Sequence, residues 1–506
     1  MSAHTASHRA LWVTVRLMKH LQRTLGLVFL SPLALAVGGD DQARTPNVLL
    51  IVADDQGYAD LGFLDWKDDV RTPELDRLAA ESIYLPNAYA SAPICNPSRV
   101  GMLTGQYQQR WNNFFYGGGN GLPAETTTIA ERLRAAGYAT GYFGKVHTGG
   151  PDRSPEAYGF PLNFGFQRFF GTTTGGRVNY LHHGPKAKKA FGKAAGQMAV
   201  GSMWNDREAI DFEGFTTEAF GQEARTFIEE QHEQPFFAMV AFNAVHNFAW
   251  QLPKKELEVR GLDAFPDWDP KLEPYLEWYK RVHRRDWPEG RAYYLAQLEC
   301  MDREVGLMLD QLDALGIAEN TIVIYTVDNG GCVPDWADNG PLAGSKYHLL
   351  EGGTRTPTII RMPGSAREAS TYKGVFSALD LAPTLCDWIG VEADPAEFDG
   401  SSQLARLQGT ASAPEERELH WDIRWQWSVL RGKWKLMHTT DPDFAKRESN
   451  FEQVAVRSGV HLYDLEADPG EVHNLAPDKP ELVAELTALH NAWRKHVGKP
   501  VGEDGK

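Results

Sequence analysis

Cysteine is scarce in this chain: Cys95, Cys300, Cys332 and Cys386 are scattered over 506 positions. That excludes a disulfide framework or a zinc knuckle, both of which need paired, closely spaced cysteines. Cys300 and Cys386 lie on apolar stretches and read as core residues. If Cys95 is functional, at least one of the other three has no partner within the chain. Positive charge is also in deficit, with 51 Lys and Arg against 67 Asp and Glu for a formal net charge of −16. A broad basic surface for nucleic acid is thereby excluded, and any anion must be held by a local basic cluster. No apolar run reaches the ~20 residues that span a bilayer. Leu25 to Val37, preceded by Arg9, Arg16, Lys19 and Arg23 and ending in Ala34-Leu35-Ala36, predicts instead an export signal over residues 1–36. The mature protein is then expected to be periplasmic or secreted, without a membrane span. Loss of the four basic residues leaves it at about −20. No cysteine precedes Cys95, which excludes a lipoprotein anchor.

What is present is a soluble, globular composition, 42% hydrophobic and 23% charged, at a length that suits one large domain and one smaller. Short apolar runs alternate with helix-like segments, the pattern of a mostly parallel α/β sheet. Val48 to Ala53, Phe236 to Ala241 and Thr321 to Val327 read as strands buried on both faces, with Tyr138 to Phe143 a further strand. Thr126 to Ala136 is helical in pattern, and Ala292 to Leu315 is a long amphipathic helix stopped by Gly316. Beyond about residue 400 the character changes. A linker from Gly409 to Glu416 precedes short strands at Ser428 to Leu430, Trp434 to Met437 and His461 to Asp464, then a helix from Pro480 to Val497. The expected organisation is a main α/β domain over residues 45–408, its large mixed sheet flanked by helices. A small α+β subdomain with an antiparallel sheet comes next, over residues 417–500.

Each of the four buried strands leads directly into a polar cluster. The clusters are Asp54-Asp55, Gly144-Lys145-Val146-His147, Asn243-Ala244-Val245-His246 and Asp328-Asn329-Gly330-Gly331, and open α/β sheets bind ligands at strand carboxyl ends. Alone, each has a plainer reading: an Asp-Asp pair as a turn or cap, a histidine as a satisfied structural group. Together they predict one crevice. Cys95-Asn96-Pro97-Ser98-Arg99 adds a helix start, with Asn96 as N-cap, Pro97 at the first helical position and Gly105 as the stop. Arg99, one turn on, brings a fixed charge to the same side. Asp54, Asp55, Asp328 and Asn329 offer oxygen ligands only, which suits Ca²⁺ or Mg²⁺. Lys145, His147, His246 and Lys346 suit an oxyanion and proton transfer. A zinc site from His147 and His246 is the weaker alternative, because they lack the close spacing of helical zinc ligands.

These residues together resemble the type I sulfatases of the alkaline-phosphatase-like superfamily. Cys95 to Arg99 with Leu103-Thr104-Gly105 matches one family signature, and Gly137-Tyr138-Ala139-Thr140 through Gly144-Lys145-Val146-His147 the other. The likeness extends from Asn47 through Gly344-Ser345-Lys346, Glu351 to Pro357 and Asp380 to Thr384 into the tail at Leu462-Tyr463-Asp464-Leu465. It implies that a maturation enzyme reading Cys-x-Pro-x-Arg oxidises Cys95 to formylglycine. It further implies that Asp54, Asp55, Asp328, Asn329 and the modified residue 95 bind Ca²⁺, with Mg²⁺ the less suited ion. Arg99 would orient residue 95, Lys145 and Lys346 would hold the sulfate, and His147 and His246 would complete the catalytic set. The hydrated aldehyde would attack sulfur while His246 protonates the leaving alcohol; His147 would then take the second hydroxyl proton as sulfate leaves. Departures are local: Thr148 where many members have leucine, and Tyr347-His348 where small residues are common.

A sulfated carbohydrate is the expected substrate. Trp250, Trp268, Trp278, Tyr279 and Trp287 are interleaved with Lys280, Arg281, His283, Arg284 and Arg285, which suits a sulfated-glycan cleft as well as it suits a helix packed by its tryptophans. His182-His183 and Lys186 to Lys189 read as a solvated loop. The rivals are a phosphoesterase or phosphonate monoester hydrolase of the same superfamily, and a glycan-binding relative without catalysis. The second requires a lost site residue or an unmodified Cys95, and no expected site residue is missing.

Overall fold

The computed structural model describes residues 45–115, 121–150, 152–173, 175–283, 287–364, 368–411, 416–442 and 457–497. The export signal read over residues 1–36 lies outside them, as do Arg284 and Arg285. The described residues belong to one compact unit.

Ten strands make one sheet, in the order Ser370–Thr371, Ile83–Leu85, Thr358–Arg361, Thr321–Val327, Asn47–Ala53, Phe236–Ala241, Ala139–Lys145, Arg168–Thr172, Met203–Asn205 and Glu208–Ile210. The five from Thr321–Val327 to Arg168–Thr172 run mutually parallel. Thr358–Arg361 on one flank and Met203–Asn205 on the other are antiparallel to their inner neighbours. The sheet is therefore mixed but mostly parallel, as its apolar runs predicted.

Alternation explains why those runs are continuous. Leu49, Ile51 and Ala53 enter one core while Val48, Leu50 and Val52 enter the other, so neither face of the strand can be polar. The first core lies under Pro73–Ala80, Thr216–Gln231 and Gly290–Ala314, through side chains such as Leu78, Phe220 and Leu309. The second lies under Cys95–Thr104, Ile129–Ala135 and Leu381–Ile389, through Val100, Leu133 and Leu385. Cys300 packs in the first core and Cys386 in the second, and all four cysteines are free and buried. The helix expected from Thr126 begins later, because Thr128 and Glu131 form a reciprocal capping box that fixes Ile129 as its first residue.

At the carboxyl end, Glu418–Asp422, Gln426–Arg431, Trp434–Thr439 and Gly459–Asp464 form a four-stranded antiparallel sheet. The helix Pro480–His496 covers one face, Leu486 meeting Val429, Leu436 and Leu462. The other face presents Leu430, Met437 and Tyr463 to Tyr89, Leu349 and Leu350 of the larger part.

Candidate functional site

The parallel strands end in step. Ala53 pairs with Val327, Val52 with Ala241, and Ala241 with Gly144. Asp54-Asp55, Asp328-Asn329, Lys145 and the His246 turn thus leave one edge of four adjacent strands, as their sequence positions predicted. Backbone bonds continue the alignment past the strands, from Asp54 N to Ala244 O at 2.9 Å and from Asp328 N to Ala53 O at 3.1 Å. Gly144 makes this approach possible: its φ is 124°, and a Cβ there would overlap the Ala241 carbonyl.

Cys95 is carried to the same edge by the helix Cys95–Thr104, which is buried along its whole length. The helix begins two residues earlier than expected. Ile94 is its N-cap, without a side-chain bond, and Asn96 lies inside the first turn, so the reading of Asn96 as N-cap is corrected. The Asn96 amide is drawn elsewhere: its Nδ2 donates to His147 O at 3.0 Å, and its Oδ1 accepts from Asn113 Nδ2 at 2.8 Å. Pro97 is the third residue of the helix rather than its first, so that reading is corrected too, though it still lies among the first four residues, whose N–H groups lack helical partners. Gly105 closes the helix in the left-handed region at φ 69°, as expected.

Around Cys95 lies a buried net of alternating charge. Cys95 Sγ is 3.4 Å from Asp54 Oδ1, 3.9 Å from Asp55 Oδ1 and 3.7 Å from Lys145 Nζ. Lys145 pairs with Asp54, Lys346 with Asp55 at 2.7 Å, and Arg99 Nε with Asp328 Oδ2 at 2.8 Å. Arg99 Nη1 and Tyr142 Oη both donate to Lys145 O at 2.7 Å, which fixes the lysine's backbone. Asn329 Nδ2 reaches Asp55 Oδ1 at 2.8 Å. Three carboxylates and three cations share one buried space, and the competition shows in their proton affinities. Burial drives Asp54 up to about 7 despite Lys145. Burial would raise Asp328 too, but Arg99, Lys145 and Lys346 bring it below the ordinary carboxylate value. Burial and Asp328 push the Cys95 thiol well above its usual value, so the unmodified side chain stays protonated and is a poor nucleophile.

The histidines differ in their surroundings. His246 Nε2 stands 3.3 Å from Asp55 Oδ2, and its Nδ1 meets Asn247 Oδ1 at 2.8 Å, which leaves Nε2 as the nitrogen facing the charged net. Burial, then Lys346 and Lys145, lowers its basicity well below the usual range. His147 sits at a left-handed φ of 46°, its Nδ1 buried without a hydrogen-bond partner among the described residues. Burial and the charges of Lys145, Arg99 and Lys346 hold it neutral as well. Asp54, Asp55, Cys95 and His246 present donor atoms within 4.8 Å of one another, a group that does not include His147. The zinc pairing of His147 with His246 gains nothing from this. A hard divalent cation fits the donors better: Asn329 Oδ1 is buried without a hydrogen-bond partner among the described residues, and the neighbouring donors are the crowded oxygens of Asp54, Asp55 and Asp328.

Sequence reasoning missed the supports. Tyr180 Oη donates to both Asn243 O and His246 O at 2.8 Å, bracing the His246 turn from a region with no recognisable pattern. Asn96 and Asn113 tie the Cys95 helix to the His147 loop, a role hidden because Asn96 so closely resembles a cap. The aromatic segment after His246 also resolves. Trp250 and Trp278 are buried in the core, and Trp287 packs on Phe265 and Trp336 rather than offering a face to sugars. His182–His183 is a short strand, and Lys186, Lys188 and Lys189 are the solvated side of the helix Gly184–Phe191, not a loop.

Comparison with known proteins agrees with this geometry. The Sulfatase family pattern matches residues 46–391, and that of the N-sulphoglucosamine sulphohydrolase C-terminal region matches residues 345–496. The chain is 26% identical to an N-acetylgalactosamine-6-O-sulfatase of Bacteroides thetaiotaomicron, over 93% of this chain and 99% of that one. It is 29% identical to human arylsulfatase A, over 90% and 89% of the two chains. The fold matches the crystal structure of Ps i-CgsB in complex with k-i-k-neocarrahexaose with a TM-score of 0.72, at 24% identity, over 89% of this chain and 93% of that one.

Proposed function

Because the chain belongs to the sulfatase family of the alkaline-phosphatase-like superfamily and is a sulfuric ester hydrolase, we propose that it is an exported enzyme that removes sulfate from carbohydrate, using a formylglycine made from Cys95 and a bound Ca²⁺. One observation carries this reading: Cys95, three basic side chains and three carboxylates meet in a buried space where four parallel strands end. The carbohydrate class is supported by a relative named N-acetylgalactosamine-6-O-sulfatase and by a structure of the same fold in complex with k-i-k-neocarrahexaose. The leader over residues 1–36 and the division into 45–408 and 417–500 belong to the same proposal.

In this reading Asp54, Asp55, Asp328, Asn329 and the modified residue 95 hold the ion. When present, Ca²⁺ supplies charge stabilisation at the sulfuryl oxygens and hydrated formylglycine supplies the attacking oxygen. The remaining work falls to the chain's own residues. Arg99, one helical turn beyond residue 95 and locked to Asp328, keeps that side chain oriented. Lys145 and Lys346 meet the sulfate; with an anion present, each divides its charge between substrate and its aspartate. His246, presenting Nε2 to the net, delivers the proton to the leaving alcohol. His147 takes the proton whose removal releases sulfate. The maturation enzyme that reads Cys95 to Arg99 must act before folding, since the whole segment is buried.

Peptide mass spectrometry on protein from a host with that enzyme tests the modification: the peptide holding residue 95 should lose the thiol and carry the aldehyde mass. Fully active protein with an unmodified thiol would refute it. Side-by-side rates on sulfated sugars and on phosphate and phosphonate esters separate the sulfatase from a phosphoesterase of the same fold.

A further inference from the structure

Of the residues outside the catalytic net that hold a left-handed backbone conformation, two carry long side chains linked to the site. Tyr347 has φ 74° and Arg424 has φ 72°. They come from distant parts of the chain, Tyr347 beside Lys346 and Arg424 in the turn between Glu418–Asp422 and Gln426–Arg431. A tight turn could use glycine at either place, and the chain keeps a long side chain at both.

Contacts lead from each of them to the site. Lys346 Nζ, 2.7 Å from Asp55, lies 5.3 Å from the centre of the Tyr347 ring. The Tyr347 ring is 6.0 Å from that of Phe115, and both rings are half-buried. On the adjacent residue, Phe114, the guanidinium of Arg424 rests 5.0 Å from the ring centre, and Arg424 Nη2 donates to Asn112 Oδ1 at 2.6 Å. Asn113, between them, bonds Asn96 beside Cys95. The segment Asn112 to Phe115 is thus anchored to the reacting residue's helix at one point and carries the guanidinium at another.

Arg424 is exposed and makes no ion pair with a described residue. The nearby acid, Asp422, is engaged by Arg494 and by the Arg424 backbone N–H. In a chain of net charge −16, an exposed cation held over an aromatic ring, without an ion pair among the described residues and with the nearby Asp422 shared with Arg494, is a place for an external anion.

We propose that Tyr347, Phe115 and Arg424, the last seated on the buried Phe114, form a substrate subsite beside the catalytic net. The aromatic rings wall the sugar next to the sulfate ester, and Arg424 binds a second oxyanion, sulfate or carboxylate, on the neighbouring unit. This rests on the sulfatase reading and specifies its substrate: an oligosaccharide with more than one anionic group.

The test compares wild type, Arg424→Ala and Arg424→Lys on three disaccharides: one with a single sulfate, one with a second sulfate on the neighbouring unit, and one with a uronate carboxylate there instead. The expected result is that the kcat/KM preference for a doubly charged disaccharide over the singly charged one falls about tenfold in Arg424→Ala, through KM, and is largely restored in Arg424→Lys. Whichever doubly charged compound loses more identifies the anion. An unchanged preference, or an equal fall on all three compounds, overturns the subsite. If wild type turns over none of the three, the carbohydrate reading on which the subsite rests fails separately. Calorimetric binding of the same disaccharides to the same proteins then decides the subsite: Arg424→Ala must weaken the doubly charged compounds selectively, and equal binding overturns it.

Discussion

The two site histidines are separated by what their rings touch. His246 has one nitrogen fixed on Asn247 Oδ1 and the other directed at Asp55, so its free position is defined before substrate arrives. His246→Ala should therefore slow an alkyl or sugar sulfate, whose leaving alcohol needs a proton, by ~10²–10⁴-fold. It should slow 4-nitrophenyl sulfate far less, because nitrophenolate leaves unprotonated. Equal losses on both would remove His246 from the proton-donor role. Gly144 carries a different constraint: with φ 124° and the Ala241 carbonyl where a Cβ would be, Gly144→Ala should cost at least about 2 kcal/mol. A lowered urea midpoint, or loss of soluble protein, checks it. At this scale the convergence of the charged residues was readable from sequence only jointly, because each strand-end acid or base alone also reads as a cap or a satisfied structural group. Asn96 misled because a cap and a tether call for the same amide, and only the fold shows which backbone groups lie within its reach.

Among elements, the small carboxyl-terminal sheet acts directly on the catalytic edge. Leu349 N donates to Gln426 Oε1 at 2.7 Å, and Glu351 N to Glu471 Oε2 at 2.6 Å, so the segment just beyond Lys346 is held by that sheet and by the turn that follows its last strand. Lys435, fully buried on the strand Trp434–Thr439, is shared by Glu351 at 2.8 Å and Glu471 at 2.9 Å. Burial would raise Glu351, but Lys435 and Arg355 keep it below its ordinary value; burial lifts Glu471 to about 7. Lys435→Ala would leave two buried acids facing each other and should cost about 3–5 kcal/mol. Adding Glu471→Gln should recover part of that loss in chemical denaturation, and no recovery would show that Lys435 acts through packing alone. The sequence disclosed this module only in outline. Three of its strands show apolar patterning, but Glu418–Asp422 does not announce itself, since Leu419 and Trp421 are its two apolar residues, set among Glu418, His420 and Asp422. The ion triad spans residues 351 to 471, and nothing local marks Lys435 as buried.

For the whole molecule, the response to acid is a sum of opposed contributions. His183, His348 and His420 are pushed down to about 4 and His490 to about 2, each mainly by burial. A histidine kept neutral when folded but free to protonate near 6.5 when unfolded favours unfolding as pH falls below 6.5. Asp302 and Glu471, lifted to about 7 by burial, act in the opposite sense. Folded, they bind protons that the unfolded chain releases between about 4 and 7, so their contribution grows as pH falls through that window. The wild-type profile between pH 7 and 5 should therefore be shallow, and removing one histidine should expose its share. His490 is the best choice. It is fully buried on the helix that closes the small sheet, it stacks on Trp427 at 4.4 Å, and neither ring nitrogen meets a partner among the described residues. His490→Phe keeps the stacking and removes two unsatisfied polar atoms, so it should stabilise the fold already at pH 7. Its advantage should then widen by about 1.4 kcal/mol for each pH unit below 6.5, reaching roughly 2 kcal/mol more at pH 5 than at pH 7. Urea midpoints of the two proteins at pH 7, 6 and 5 measure this directly. Parallel curves would mean that His490 is protonated in the folded protein and that the buried ring has found a partner.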